Sequence, residues 1–166
     1  MPFRLPLLVA LVPASLLAAA PAPPLAPGAW TFTVTPGAAT LDGRPLHDLP
    51  VGEVTSETAC LSPGDARTPA RWLARDLAGD CVLTRQLVAG GRVDIAGRCA
   101  PRDEGQREGA LLIAGRYTSD SYDLRFTTVA HGDNGTMSFA GTMRGHRTGA
   151  CPADPDGATP RRPPAG

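Results

Sequence analysis

The four cysteines are the residues of this chain that point most directly to chemistry. Cys60, Cys81, Cys99 and Cys151 form an even set, and no two of them have the Cys-x-x-Cys spacing of a redox-active pair. In a small chain, an even number of cysteines without that spacing is typical of structural disulfides. We therefore predict two disulfides that stabilise the fold, and no catalytic thiol.

The three histidines do not predict a metal site, because His47, His131 and His146 fall in loops or at strand ends without ligand-like spacing. His131 and Asp133, with Ser138 nearby, are residue types found in hydrolase triads, but turn formation accounts for Asp133. The chain also lacks a Gly-x-Ser-x-Gly elbow, a phosphate-binding glycine loop and a His-Glu-x-x-His pair. The sequence thus predicts no enzyme and no cofactor.

The N-terminus has the composition of a secretory signal. A positively charged start, residues 1–4, precedes an apolar run, residues 5–17, and small residues follow. The run is short for a membrane span, and no cysteine stands at the cleavage point for lipid attachment. We predict a signal peptide over residues 1–22 whose cleavage leaves no stable membrane anchor.

The rest of the chain divides into one domain and a tail. Residues 23–151 have the length of a single domain, whereas residues 152–166 are rich in proline and have little to bury, which predicts disorder. The 16 basic residues balance the 16 acidic residues and both signs are scattered, so the net charge is zero. This distribution does not favour nucleic acid or an anionic membrane as a partner.

Apolar residues recur mostly at a spacing of two, which predicts β-strands. Trp30, Phe32 and Val34 alternate with threonines in a first strand that we expect to end at Pro36-Gly37. A loop over residues 38–50 leads to a polar edge strand over residues 51–60.

A single short helix is predicted after the second strand. Thr68 is suited to the cap position and Pro69 to the first turn, and an apolar side extends to Leu77.

The next two strands predict the disulfide pairing. If Ala89-Gly90-Gly91 forms the loop between them, counting outward places Cys81 opposite Cys99. Cysteines that face each other in an antiparallel pair are close enough to bridge. Cys60 and Cys151 then pair by subtraction, although the sequence alone does not choose among the possible connectivities.

Two further turns extend this hairpin into a meander. A turn at Ser119-Asp120 and another at Asn134-Gly135 both leave the apolar side chains on one face. The expected opposite pairs are Tyr117 with Tyr122, Gly115 with Leu124, Ile113 with Phe126, Phe126 with Met143, and Ala130 with Phe139. We predict a mainly β fold, an antiparallel meander of about seven strands forming a curved sheet or an up-and-down barrel, with one short helix; a β-sandwich is the alternative.

Several short segments resemble one bacterial protein family. They are Pro27-Gly28-Ala29-Trp30, Cys60-Leu61-Ser62-Pro63, Asp80-Cys81, Cys99, Ser121-Tyr122 and Gly149-Ala150-Cys151. In order and local context they are similar to the domain-of-unknown-function 3617 family, and the resemblance covers residues 27–151. It implies an exported protein of the Gram-negative periplasm and implies no activity.

Three glycines fall on the predicted inward face of strands that otherwise carry large apolar residues. They remove volume there, which indicates either strand bending or a cavity for a small apolar ligand. The candidate cavity residues are Gly97, Gly115, Gly141, Ile113, Phe126 and Phe139.

Two functions are compatible with these patterns. The first is a periplasmic module that binds a small hydrophobic ligand inside the sheet. The second is a structural or interaction protein of the cell envelope, with no small-molecule ligand, whose partner meets an edge such as residues 51–60. An interior cavity would favour the first function, and a filled core with an exposed strand edge would favour the second.

Overall fold

The structure is a computed structural model, and it describes residues 23–47, 51–52, 54–101 and 105–152. The predicted signal peptide, residues 1–22, lies outside the described residues, as do residues 153–166 of the predicted tail. In chain order the elements are β1 (Gly28–Leu41), β2 (Arg44–Pro45), β3 (Thr55–Leu61), a 3₁₀ turn (Asp65–Arg67), α1 (Pro69–Ala78), β4 (Cys81–Ala89), β5 (Arg92–Cys99), β6 (Gln106–Tyr117), β7 (Ser121–Gly132) and β8 (Gly135–Gly149).

The strands form one open antiparallel sheet. From one edge to the other their order is β3, β1, β8, β7, β6, β5 and β4, and the short β2 pairs with the far end of β1. The predicted antiparallel meander is confirmed, because β4 to β8 are neighbours both in sequence and in the sheet. The barrel prediction is wrong, since no pairing joins β3 to β4 among the described strands, and the sandwich alternative is wrong because there is a single sheet.

Helix α1 occupies the place in the chain where a barrel would close. In a closed meander β3 and β4 would pair, but the segment between them forms the 3₁₀ turn and α1. The helix packs against β4, β5 and β6 on one face of the sheet, called the inner face below, and buries Ala70, Trp72, Leu73 and Ala74. Burying this apolar side against the sheet stabilises the open arrangement. No helix in the described part of the chain is both long and apolar enough to cross a membrane.

The inner face carries the apolar residues that the alternating pattern predicts. On β1, Trp30 and Phe32 are buried, and Thr31 and Thr33, which alternate with them, are half-buried. The inner-face residues of the sheet core are Trp30, Phe32, Val93, Ile95, Leu111, Ile113, Tyr117, Tyr122, Leu124, Phe126 and Met143.

The first strand is longer than predicted. It continues past Pro36-Gly37 to Leu41, so the prediction of a loop is wrong for residues 38–41. Its pairing with β8 is irregular between Pro36 and Ala39, and an irregularity of this kind accommodates proline in a strand. The predicted edge strand is also shifted, from residues 51–60 to Thr55–Leu61.

The β4–β5 hairpin has the predicted cysteine pairing but a different turn. Ala89 pairs with Arg92, so the turn is Gly90-Gly91 alone, and both glycines have the positive φ of a tight hairpin turn. A bulge between Leu83 and Arg85 restores the register, because it leaves one residue of β4 unpaired. The unpaired residue therefore lies in the strand rather than in the turn.

The β6–β7 hairpin has the predicted register, with Tyr117 opposite Tyr122. The β7–β8 turn lies one residue earlier than predicted, because Gly132 pairs with Gly135 and leaves Asp133 and Asn134 as the turn residues. This places Phe126 opposite Gly141, whereas the sequence predicted Met143. Likewise, Phe139 lies opposite Thr128 and not opposite Ala130. The same face stays apolar, since the shift is two positions along β8.

Asp42 accounts for the position of the β7–β8 turn. Its Oδ1 accepts a hydrogen bond from the Thr136 N–H at 2.8 Å, and its own N–H donates to the Thr136 carbonyl, also at 2.8 Å. These bonds hold Gly135 and Thr136 in the strand. Gly135, at φ 119°, takes a conformation that favours glycine next to the turn.

Candidate functional site

Both predicted disulfides are present in the structure. Cys60 and Cys151, 91 residues apart, join the end of β3 to the segment that follows β8. Cys81 and Cys99 join the first residue of β4 to the last residue of β5. The two bridges therefore secure both edges of the open sheet.

Three aromatic rings, those of Trp30, Trp72 and Tyr122, fill the space between α1 and the inner face of the sheet. Trp30 lies 5.6 Å from Trp72 and 5.7 Å from Tyr122, measured between ring centroids. The Trp30 indole donates a hydrogen bond to the Ala26 carbonyl at 3.1 Å, and the Trp72 indole donates to the Cys60 carbonyl at 3.3 Å. This part of the inner face is therefore closed to ligands.

Arg75 of α1 lies beside this aromatic cluster. Its guanidinium is 4.9 Å from the ring centroids of both Phe32 and Trp72, in cation–π contact. Burial raises the pKa of Tyr122 above its ordinary value, and the Arg75 charge acts in the opposite direction. The phenol consequently stays neutral at physiological pH.

The inward glycines make room for their neighbours. A Cβ on Gly141 would lie 2.5 Å from the Phe126 ring and 2.7 Å from the Thr35 carbonyl oxygen. A Cβ on Gly115 would meet the Asp123 carbonyl oxygen, and Gly97 faces Leu83 across the hairpin. The volume that these glycines leave is thus occupied by adjoining strands and side chains.

Gly145 has the same role and was not singled out from the sequence. The Tyr122 ring lies directly over it, in the space that a side chain would need. The register places Gly145 opposite Tyr122, so an aromatic residue facing a glycine across two strands was the available signal.

Replacing Gly115 by alanine should destabilise the protein by about 1–3 kcal/mol, because the new methyl group would overlap the backbone of β7. The matched control is Gly97→Ala, whose methyl would meet its nearest atoms at 3.3 Å. Alanine at this position restricts the unfolded chain, which stabilises the folded protein by about 0.4–1 kcal/mol. This gain offsets the cost of the closer contact, so Gly97→Ala should lose less stability than Gly115→Ala. Urea unfolding of both variants measures the difference, and equal losses would contradict the proposed crowding at Gly115.

Beyond the C-terminal end of α1, the inner face is not covered by the helix. A cavity of about 340 Å³ lies there, called the inner-face pocket below. Its lining is mainly apolar and includes Leu77, the Cys81–Cys99 disulfide, Ala110, Val129, Ala130, Met137 and Phe139. Gln106 and Arg107 supply polar groups to the same pocket.

Of the predicted cavity residues, Phe139 lines the inner-face pocket. Ile113 and Phe126 are buried in the adjoining core, and the Phe126 and Phe139 ring centroids are 5.8 Å apart. Gly97, Gly115 and Gly141 are not among the lining residues. Leu77 and Met137 were missed because their approach depends on where the helix ends over the sheet.

The residues considered for a hydrolase triad do not bond to one another. His131 Nδ1 is 3.1 Å from the Thr136 hydroxyl, and Ser138 is paired opposite Val129. The Asp133 carboxylate lies against Gly105. Within the described ranges, His, Cys, Asp and Glu form no group of three or more that could hold a metal ion.

The comparisons with known proteins identify a family. Neither the curated proteins nor the solved structures include a match to this chain. A family model described as "Protein of unknown function (DUF3617)" matches residues 25–151, a segment that contains the four cysteines and every strand and helix of the structure. The chain therefore belongs to the DUF3617 family.

Proposed function

We propose that this protein is an exported, non-catalytic module that binds one small hydrophobic molecule in the inner-face pocket. The observation that supports this proposal is the position of that pocket. The sheet continues past the end of α1, and its apolar face there is neither covered by the helix nor filled by the aromatic cluster. Met137 is 47% exposed and Leu41 is 36% exposed at this end of the sheet, so apolar surface is available to a ligand.

The size and lining of the pocket indicate the class of ligand. Its volume of about 340 Å³ lies at the lower end of the range of about 300–1,000 Å³ that is usual for small-molecule sites. The lining combines aliphatic, aromatic and sulfur atoms with few polar groups, which favours an apolar molecule over a sugar or a nucleotide. Arg107, which also lines the pocket, would meet the polar end of such a ligand.

The disulfides support an extracytoplasmic location. Disulfides generally form and persist in oxidising compartments, and the structure has two, Cys60–Cys151 and Cys81–Cys99. The signal peptide predicted over residues 1–22 would deliver the chain to the periplasm, and the two features together are the basis for this part of the proposal.

Replacing Ala130 by tryptophan should weaken the binding of N-phenyl-1-naphthylamine, a neutral apolar probe, at least tenfold. Ala130 lines the pocket, so an indole at this position would occupy the space that the probe needs. Fluorescence titration of the disulfide-bonded protein measures the dissociation constant, and a melting curve shows that the variant is folded.

Ala114→Trp is the control for this experiment. Ala114 lies on the neighbouring strand β6 and is exposed on the outer face, so its replacement adds the same indole away from the pocket. The probe should bind this variant as it binds the natural protein. Equal weakening by both substitutions, or no saturable binding to the natural protein, would refute the pocket as the ligand site.

Native mass spectrometry of protein purified from its own periplasm tests the function itself. A discrete mass that is lost on denaturation would show a carried ligand and give its molecular weight. A bare chain with two disulfides would instead favour the second candidate, an interaction protein of the envelope.

The second candidate is supported by strand β3. It pairs with β1 on one side, and most of its residues are exposed, which leaves a strand edge available for pairing with another chain. Its residues are mainly Thr, Ser and Glu, so this edge would attract a partner through backbone hydrogen bonds rather than through apolar contact.

A further inference from the structure

A row of charged side chains crosses the outer face of the sheet, opposite to the inner-face pocket. Arg92 on β5 lies opposite Arg116 on β6, which lies opposite Asp123 on β7, which lies opposite Arg144 on β8. All four side chains are exposed. Two arginines are therefore adjacent in register at one end of the row.

Arg92 and Arg116 occupy a closely spaced pair. The Tyr117 N–H donates to the Gly91 carbonyl at 3.0 Å, and a bond between these flanking residues marks Arg92–Arg116 as a non-hydrogen-bonded pair. Side chains approach more closely at such pairs than at hydrogen-bonded ones. Like charges placed directly opposite each other destabilise a sheet, so this arrangement opposes folding unless something neutralises it.

The neighbouring carboxylates are engaged with other groups. Asp123 Oδ2 is 3.0 Å from Arg144 Nε, and Asp94 Oδ1 is 2.9 Å from Arg85 Nη2. Asp120 Oδ1 accepts a hydrogen bond from the Thr118 hydroxyl at 2.8 Å. Within the described residues Arg92 and Arg116 have no ion pair. Asp123, which lies opposite Arg116, is paired with Arg144, so the four side chains of the row carry an excess of two positive charges.

The two arginines line an open depression of about 660 Å³. Gly90 and Gly91 form one side of it, and a Cβ on Gly90 would meet no atom within 4 Å. The Thr118 and Ser121 hydroxyls line the depression but bond to each other at 2.8 Å and to the turn. Asp123 and Arg144 also line the depression but are paired with each other, so the guanidinium groups of Arg92 and Arg116 are the charged donors there that have no ion pair within the described residues.

We propose that Arg92 and Arg116 together bind a doubly charged tetrahedral oxyanion, a phosphate group. Each guanidinium presents about five N–H donors in a fork that matches phosphate oxygens, and two uncompensated charges match a dianion. A carboxylate would satisfy only one of the two charges. This site is separate from the inner-face pocket, and its existence does not depend on the proposed apolar ligand.

Isothermal titration calorimetry tests the site: inorganic phosphate is titrated into the mature, disulfide-bonded protein at pH 7.5. Saturable binding is expected for the natural protein, and Arg92→Gln and Arg116→Gln should each weaken it at least tenfold. Arg98→Gln is the control, because Arg98 is an exposed outer-face arginine on β5 outside the depression and its loss changes the net charge equally. Binding by this control should change less than twofold.

Melting curves provide a second readout that does not depend on calorimetry. In phosphate-free buffer Arg92→Gln should melt at or above the temperature of the natural protein, because Arg92 lies between Arg116 and Ala89 and its substitution removes only a like-charge pair. Phosphate should raise the melting temperature of the natural protein but not that of the variant. Absence of phosphate binding by the natural protein, or equal losses in the Arg98 control, would overturn the proposal.

A second titration distinguishes the source of the phosphate. Water-soluble dihexanoyl phosphatidic acid should bind more tightly than inorganic phosphate if the natural ligand is a lipid headgroup, and equally if it is phosphate or a small phosphate ester. The Ala130→Trp variant should bind phosphate normally in both titrations, so failure of the apolar pocket and failure of the anion site are separately visible.

Discussion

Replacing Cys60 and Cys151 together by alanine should lower the free energy of unfolding by about 4–5 kcal/mol. This bridge spans 91 residues, and a cross-link that closes a long loop removes more conformational freedom from the unfolded chain than a short one. It also holds the end of β3, whose Cys60 carbonyl accepts the Trp72 indole hydrogen bond. Urea unfolding without reductant, extrapolated to water, measures the change.

The Cys81→Ala/Cys99→Ala double variant is the matched comparison. It removes a bridge across 18 residues, for which the same reasoning gives a loss of about 3 kcal/mol. The strands that it joins are already paired along β4 and β5. If this variant proved the less stable of the two, loop length would not be the main source of stabilisation.

Replacing Trp30 by alanine should lower the free energy of unfolding by about 3–5 kcal/mol, the range for a large buried aromatic residue. Trp30 is fully buried and packs against both Trp72 and Tyr122. The substitution would leave a cavity where α1 meets the sheet and would remove the hydrogen bond to the Ala26 carbonyl. Far-UV circular dichroism during urea unfolding measures the loss.

Two controls separate cavity formation from other effects of this substitution. Trp30→Phe keeps an aromatic ring in place and should cost less than Trp30→Ala. Leu112→Ala alters an outer-face side chain that is 48% exposed and should change stability by no more than about 0.5 kcal/mol. A loss in Trp30→Ala no larger than that in Leu112→Ala would contradict the central packing role of the indole.

The strand faces and the disulfides followed from local patterns. Alternation of Trp30 and Phe32 with threonines predicts the buried face of β1, and the Tyr117–Tyr122 register follows from the adjoining turn. The Cys81–Cys99 pairing was predicted through a three-residue loop, whereas the structure has a shorter turn and a bulge. One unpaired residue, whether in the turn or at the bulge in β4, places Cys81 opposite Cys99. The disulfide prediction was therefore right although the predicted turn was not.

The predictions from the sequence were wrong where segments that are distant in the chain meet. The β7–β8 turn depends on Asp42, which is 94 residues from Thr136 and could not be anticipated from the Asn134-Gly135 dipeptide alone. The inward glycines were compatible with a cavity in the sequence, whereas the structure places the Phe126 ring next to Gly141 and Leu124 next to Gly115. The pocket lies instead at the end of α1, where Leu77 and Phe139 are both among its lining residues.

The sequence by itself determined the mainly β character, the meander, the apolar face and the facing positions of Cys81 and Cys99, because each depends on alternation or on short turns. Only the tertiary structure decided that the sheet stays open between β3 and β4, since that depends on α1 burying Trp72 against distant strands. It also decided where the inner face remains uncovered and that Arg92 and Arg116 lie side by side. These features arise from long-range packing and strand order, for which residue spacing along the chain carries no local signal.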